Sequence, residues 1–403
     1  MRLVSPVRRL AADPVIGLAL LGILGVLPLA VRFYWPAGEG LDVTGHQIGR
    51  DFINNWVGPR LAFSDRLATL FDLDGYHAAI GTEFGAPLPF HNWGYPPFTL
   101  LMFWPLGQLP YFAALAVWTV GLFAAFSAVT LSQVPAGRRG RALLLLALAP
   151  ACLINAVGGQ NGFATAALLL GGMLALDRRP ILAGILFGLL TAKPHLGLLL
   201  PFALVALGAW RTIAAAAVTT LALVAVSTVV FGLDPWRQYL TATSAYQYAL
   251  LEAFQGFYPY MMASVFAAAR TVGLPMGAAW GLQAAVSLPV MAAAIWAVRR
   301  TQDRTRRAAV LAVAAPLMTP YAFNYDLTAV AAVVVWRLLA APAGSAPGGA
   351  MVAAWLCPAL IMPLQIVGIG GFAPVALLAL FATLIREVRQ ERPGLAAPLP
   401  AAA

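Results

Sequence analysis

Twelve apolar runs, separated by short basic or polar connections, dominate this chain and decide what it can fold into. They cover about 15–31, 111–134, 142–157, 161–176, 180–192, 195–210, 212–231, 275–298, 308–322, 326–341, 350–368 and 370–386. A hydrocarbon layer of about 30 Å is crossed by about 20 apolar residues in a helix, fewer where the helix is broken or re-entrant. Of the 403 residues 61% are apolar and only 10% charged, whereas soluble domains carry about a quarter charged residues. A single water-soluble core could not hide so much apolar surface. The expected fold is therefore all-α: a polytopic membrane helix bundle of about 12 transmembrane helices with a long first outer loop.

Charge placement orients the bundle. If every run crosses, alternate connections should collect the Lys/Arg excess. Arg138, Arg139 and Arg141, Arg178 and Arg179, Arg211, the Arg299–Arg307 group, and Arg386, Arg389 and Arg392 all fall on the side of the N-terminus, with Arg2, Arg8 and Arg9. That side is expected to be the cytoplasm, with both termini on it, in an inner membrane. The opposite side receives the two long connections, about 33–96 and 232–260, and most acidic residues. The first run could also be a signal-peptide core, but Arg32-Phe33-Tyr34-Trp35-Pro36 follows it with no small-residue cleavage pattern, so an anchored helix is expected. Segments 97–106 and 259–271 read as interfacial or re-entrant. One membrane domain is expected over 1–392, with a proline-rich, disordered tail over 393–403. Gly184 and Gly188 make a small face for close helix approach, within this chain or, alternatively, in a dimer.

Several functions are excluded. The net charge of +10 is spread in short clusters, with no continuous basic face for nucleic acid. Cys152 and Cys357 lie inside apolar runs, as small core residues do. There is no Walker A loop, strand-anchored Gly-x-Gly-x-x-Gly, His-Glu-x-x-His or Cys-x-x-Cys.

Chemistry-bearing residues concentrate in four places that parity puts on one face. The first loop carries Gly49-Arg50-Asp51-Phe52-Ile53-Asn54-Asn55-Trp56 and later His91-Asn92-Trp93-Gly94-Tyr95. Asp51 there is either a general base at the membrane surface or a loop carboxylate that pairs with Arg50 or caps the next helix. The Trp and Tyr residues are either an interfacial belt or a platform for a sugar ring. Gly159-Gln160-Asn161-Gly162 is a polar turn between two runs. Lys193-Pro194-His195 interrupts an apolar stretch, where ionisable groups are costly and often functional; Lys193 is either a phosphate seat or a snorkelling lysine. In Thr319-Pro320-Tyr321-Ala322-Phe323-Asn324-Tyr325-Asp326, Asp326 is either an N-cap or a catalytic partner of Asp51. One or two carboxylates, a Lys/His pair and aromatics on one membrane face fit group transfer from a membrane-embedded phosphate donor.

With these residues in view, the chain resembles glycosyltransferase family 87, polytopic enzymes of the GT-C type. The resemblance is carried by Asp51, by Tyr95-Pro96-Pro97 leading to Pro105-Leu106-Gly107-Gln108-Leu109-Pro110, by Gly159-Gln160-Asn161, and by Ala183-Gly184 followed by Lys193-Pro194, over about 45–330. It implies an inverting, metal-independent transfer of a hexosyl unit, mannosyl first of all, from a polyprenyl-phosphate sugar to a lipid or glycan acceptor. It also implies an aspartate of the first outer loop, Asp51, at the reaction centre. Family members that extend inositol-mannoside lipids carry Trp-x-His-His after a Ser-Pro in a late outer loop; here Thr319-Pro320 leads to Asn324-Tyr325-Asp326, with no His. The base role would pass to Asp326 or rest on Asp51 alone. Lys193 and His195, helped by Arg60 or His91, are expected to hold the departing phosphate. Asn54, Asn55, Trp56, Tyr95, Gln160, Asn161 and Asn324 are expected to meet sugar or acceptor. No cofactor is required. A transporter or flippase of lipid-linked sugars would also use Lys193 and inner carboxylates, but such proteins usually show repeated halves, and no duplication is visible here.

Overall fold

The computed structural model describes residues 13–391 except positions 90 and 343. The expected disordered tail and Arg2, Arg8, Arg9 and Arg392 lie outside the described residues. Helices account for nearly all the regular structure, and the described strands are one short hairpin, Pro36–Gly38 against Leu41–Asp42. Each of the twelve apolar runs carries helix.

Length separates these helices into two kinds. Five are long and apolar enough to cross a membrane: Pro14–Tyr34, Tyr111–Leu131, Trp210–Phe231, Met276–Arg300 and Gly349–Ile366, with a sixth if the pair Ala136–Leu148 and Pro150–Val157, bent by 55°, counts as one span. Phe372–Gln390 is as long but ends in Arg386, Glu387 and Arg389, and the others are shorter. Pro180–Leu190 and Gly162–Ala175 rise only about 16 and 21 Å at 1.5 Å per residue. Of the about twelve crossings expected, five or six are long and apolar enough on their own; short apolar helices lie between them in the chain. Hydropathy marks which residues avoid water, while Pro180, Pro194 and Pro150 set where helices start and break.

Burial orders the layers. Arg304–Ala314 and Thr328–Ala340 are covered on nearly every side, with Val310, Val313, Val333, Val334 and Val335 inaccessible, as expected for helices at the centre of a bundle. Trp210–Phe231 lies at the other extreme, with only Thr212 and Ser227 buried. It is held by Pro180–Leu190: a methyl added at Gly184 would stand 2.5 Å from Ala215 Cβ, and one at Gly188 would stand 2.5 Å from Thr219 Cβ. The small face thus serves packing inside the chain.

The connections gather at two ends. At one, Arg141 pairs with Asp13 at 2.5 Å, Arg307 with Asp177 at 3.1 Å and Arg337 with Glu387 at 2.5 Å. Arg306 meets Glu391, and Arg138 donates to the Leu339 carbonyl. Apart from that of the buried Arg307, these pairs are partly exposed and add little stability, but all show that the arginine-bearing connections are neighbours. The long connections meet at the opposite end. Both are helical rather than open loops: Phe52–Ala62 and Leu73–Phe84 in the first, Asp234–Gln238 and Ser244–Ala253 in the second. Thr99–Gly107 packs against Phe52–Ala62, and Val265–Thr271 is a separate two-turn helix; both are too short to cross, as expected for 97–106 and 259–271.

Candidate functional site

The site grows from three sharp turns. Gly49 and Arg50 both take positive φ, +92° and +36°, the second a costly value for a side-chain-bearing residue. This turn delivers Asp51 to the start of Phe52–Ala62 without a side-chain capping bond to that helix. Arg50 is engaged elsewhere: it pairs with Asp42 at 2.8 Å and lies over the Tyr34 ring at 4.2 Å. Burial alone would raise the Asp42 carboxyl, but the Thr44 hydroxyl and amide and the Arg50 charge outweigh it and hold it below its usual range. Neither bland role of Asp51 is therefore filled. Its side chain instead accepts a hydrogen bond from the Gln160 amide.

Gln160 and Asn161 are brought there by two glycines. Gly159 has φ +59°, and a methyl on it would lie 2.3 Å from the Gly49 carbonyl oxygen. A methyl at Gly162 would lie 2.1 Å from Asn155 Nδ2 and 2.2 Å from the Tyr325 carbonyl oxygen. The Gly159-Gln160-Asn161-Gly162 turn is thus wedged between the Asp51 turn and the late connection, and only residues without Cβ permit both approaches. The carbonyls of Gly159 and Gln160 accept from Trp118 Nε1 at 3.1 and 3.2 Å.

Lys193 closes the group. It is 7% exposed. Its ammonium donates to Asn161 Oδ1 at 3.0 Å and to Asp326 Oδ1 at 2.5 Å, and lies 4.5 Å from the Tyr325 ring centroid. An ammonium has three donors, so one remains. Asp326 is sealed, its side chain 0% exposed, and its second oxygen accepts from the Phe323 amide at 3.0 Å. It both caps its own turn and serves as counter-ion to Lys193. Asp326, expected as a partner of Asp51, is not among the residues that line the cavity beside it; a buried cation needs a buried anion, and Asp326 meets that need for Lys193.

A cavity of about 370 Å³ opens over these residues. Asp51, Asn54, Tyr95, Asn161, Lys193 and His195 line it, together with Tyr258, Tyr321 and Tyr325. His195 Nε2 is buried without a hydrogen-bond partner, the condition of a group that awaits one. Asn161 donates to Tyr95 Oη at 3.3 Å. Burial, and then the nearby Asp51 charge, push the Tyr95 phenol up, so it is a neutral hydroxyl.

Other expected site residues lie elsewhere. Arg60 pairs with Glu83 at 3.1 Å, donates to the Gly107 carbonyl and covers the Trp56 ring. Trp56 donates to the Leu109 carbonyl at 2.9 Å from an aromatic cluster with Phe84 and Tyr111. His91 Nδ1 is 2.7 Å from the Pro89 carbonyl oxygen. Asn55 and Asn324 are buried, and Asn324 accepts from the Tyr325 amide at 2.9 Å. None of these five lines the cavity. All except Asn324 belong to the first connection, which folds on a small core of its own: Trp56 lies in that core, and Arg60 packs over it from the exposed side.

The second connection contributes residues not anticipated individually: Tyr239, Thr243, Ser244 and Gln247 line the opposite wall. Their spacing, one polar group each helical turn, is the face of an amphipathic helix, and that was the available signal. The wall is joined to the late connection, where Ala263 donates to the Ala322 carbonyl at 2.7 Å.

A family model, glycosyltransferase family 87, matches residues 93–320, more than half of the chain. The match includes Tyr95, Gln160, Asn161, Lys193 and His195, and stops short of Asp51 on one side and Asp326 on the other. No curated protein and no solved structure matches the chain.

Proposed function

Because the chain belongs to glycosyltransferase family 87, and so to the membrane glycosyltransferases, we propose that it moves a hexosyl unit, mannosyl first of all, from polyprenyl phosphate to a lipid or glycan hydroxyl on the outer face of the inner membrane. One observation carries this: a lone cavity carboxylate, Asp51, and an ammonium with a donor to spare, Lys193, line the same tyrosine-rich cavity.

In this scheme Asp51 is the base. Gln160 holds one carboxylate oxygen and so fixes its orientation. The other carboxylate oxygen takes the proton of the acceptor hydroxyl as the acceptor's oxygen bonds to the anomeric carbon. The bond from the anomeric carbon to the phosphate oxygen breaks on the opposite sugar face, and its electron pair leaves with the polyprenyl phosphate. Charge grows on that phosphate, and fixed cations there stabilise the transition state. Lys193 supplies one, with His195 Nε2 as a second contact. Asp326 acts through Lys193, holding its ammonium against the cavity wall. Tyr95, Tyr258, Tyr321 and Tyr325 offer ring faces and hydroxyls to the sugar.

Helix length supports a membrane-embedded donor. The helices that end at Asn161 and Lys193 are about 10 Å shorter than a bilayer core of about 30 Å. If they start level with the long helices at the arginine-rich end, the cavity floor lies below the outer surface. A lipid phosphate could then reach Lys193 while an acceptor comes from above. The arginine-rich end faces the cytoplasm in this arrangement.

Purified protein incubated with radiolabelled polyprenyl-phosphate mannose and a membrane lipid extract should yield a new labelled product. Asp51→Asn should form that product at least about a hundredfold more slowly. Label that stays wholly on the donor, yet crosses proteoliposome membranes, would replace the transferase by a flippase.

A further inference from the structure

A second cavity lies at the end of the molecule remote from Asp51. It holds about 730 Å³ and is bordered by Leu176, Asp177, Pro180, Arg211, Arg299 and Arg307, among others. The helix Gly162–Ala175 runs from the Asn161 turn towards it, a separation of about 20 Å. Three guanidinium groups face one carboxylate there. Arg307, 6% exposed, is fully engaged: it donates to Asp177 at 3.1 Å, to Gln302 at 3.1 Å, and to the Val298 and Thr301 carbonyls. The Asp177 charge is thus answered. Arg211 and Arg299, both exposed, have no ion pair or hydrogen bond among the described residues. The cavity therefore carries two uncompensated cations.

Its surroundings are apolar. Pro180–Leu190 and Trp210–Phe231 begin at its rim, and they expose Ile181, Ile185, Val218 and Leu221, while Trp210 is 65% exposed at the rim itself. A basic pocket at the end of exposed apolar helices, with an aromatic ring at the interface level, has the chemistry of a lipid headgroup seat. A free phosphate would use the same two arginines but not the apolar flanks.

We propose that this cavity binds the phosphodiester headgroup of an anionic phospholipid, held by Arg211 and Arg299 with its acyl chains along Pro180–Leu190 and Trp210–Phe231. Nothing in sugar transfer requires this site, and the proposal stands apart from that activity.

Full-length protein, delipidated in detergent, is titrated with phosphatidylglycerol, with phosphatidylcholine of the same acyl chains, and with inorganic phosphate. Bound lipid is counted by native mass spectrometry. Phosphatidylglycerol should be retained in preference to phosphatidylcholine. At about 1 kcal/mol per arginine near a headgroup, the double variant Arg211→Gln/Arg299→Gln should weaken that retention about 30-fold. Arg386→Gln removes an exposed charge from the same end, outside the cavity, and should leave retention unchanged. Equal retention of the two lipids by the wild-type protein would overturn the proposal, whether or not the variants fold. So would an equal loss in Arg386→Gln, which would mean diffuse attraction to the leaflet. Displacement of phosphatidylglycerol by millimolar inorganic phosphate would assign the cavity to a free anion instead.

Discussion

Lys193 and Asp326 provide the most informative perturbation, because their ion pair has both a structural and a proposed catalytic consequence. The ammonium and carboxylate are 2.5 Å apart, with side-chain exposures of 9% and 0%. Two unit charges about 4 Å apart at an effective dielectric of about 20 attract by about 4 kcal/mol. Removing one partner of such a buried pair costs about 3–5 kcal/mol, because the other is left unpaired. Lys193→Met strands a carboxylate whose remaining partner is the Phe323 amide, and should fall in that range. Asp326→Leu strands an ammonium that keeps Asn161, and should cost about as much. The double variant Lys193→Met/Asp326→Leu removes both charges, and replacing a buried pair by apolar groups is often near neutral. Stability should therefore recover by about 3 kcal/mol relative to the worse single variant, measured by unfolding in mixed detergent–dodecyl sulfate micelles. Sugar transfer should not recover, since the proposed phosphate seat is gone. A double variant no more stable than either single would refute the coupling. One that folds and transfers sugar at the wild-type rate would remove Lys193 from the mechanism.

Asp51→Asn keeps the shape of its turn and should lower turnover about a hundredfold or more with the unfolding midpoint unchanged, as judged by single-turnover transfer and the same unfolding assay. Gly162→Ala pushes a methyl within 2.2 Å of the Tyr325 carbonyl oxygen, and should cost about 1–3 kcal/mol as overpacking does; unaltered stability would mean that the turn yields easily. Arg60→Ala removes a half-exposed pair outside the cavity. It should change stability by no more than about 1 kcal/mol and leave donor affinity intact, which equilibrium binding of the labelled donor measures.

Much of this was legible along the chain, because the relevant physics is local. Apolar runs too long for any soluble core demand a bilayer, and all twelve became helical. The arginine connections carry the record of their shared end, and the ion pairs Arg141–Asp13 and Arg307–Asp177 draw them together. Lys193 and His195 could be singled out as polar groups where polar groups are expensive, and Asp51 and Asn161 as loop residues that the charge parity and the family resemblance bring to the same face. Three matters were decided only by tertiary structure. Whether a run spans depends on where prolines break it and on what covers its ends, so short and long helices share one hydropathy. Whether Arg60, Trp56 and His91 reach the cavity depends on how the first connection packs on itself, which no spacing reveals. The role of Asp326 turns on the distance to a lysine 133 residues away. Spacing marks Asp326 only as a carboxylate at the start of an apolar run; that it is sealed against the Lys193 ammonium follows from contacts that only the folded chain makes.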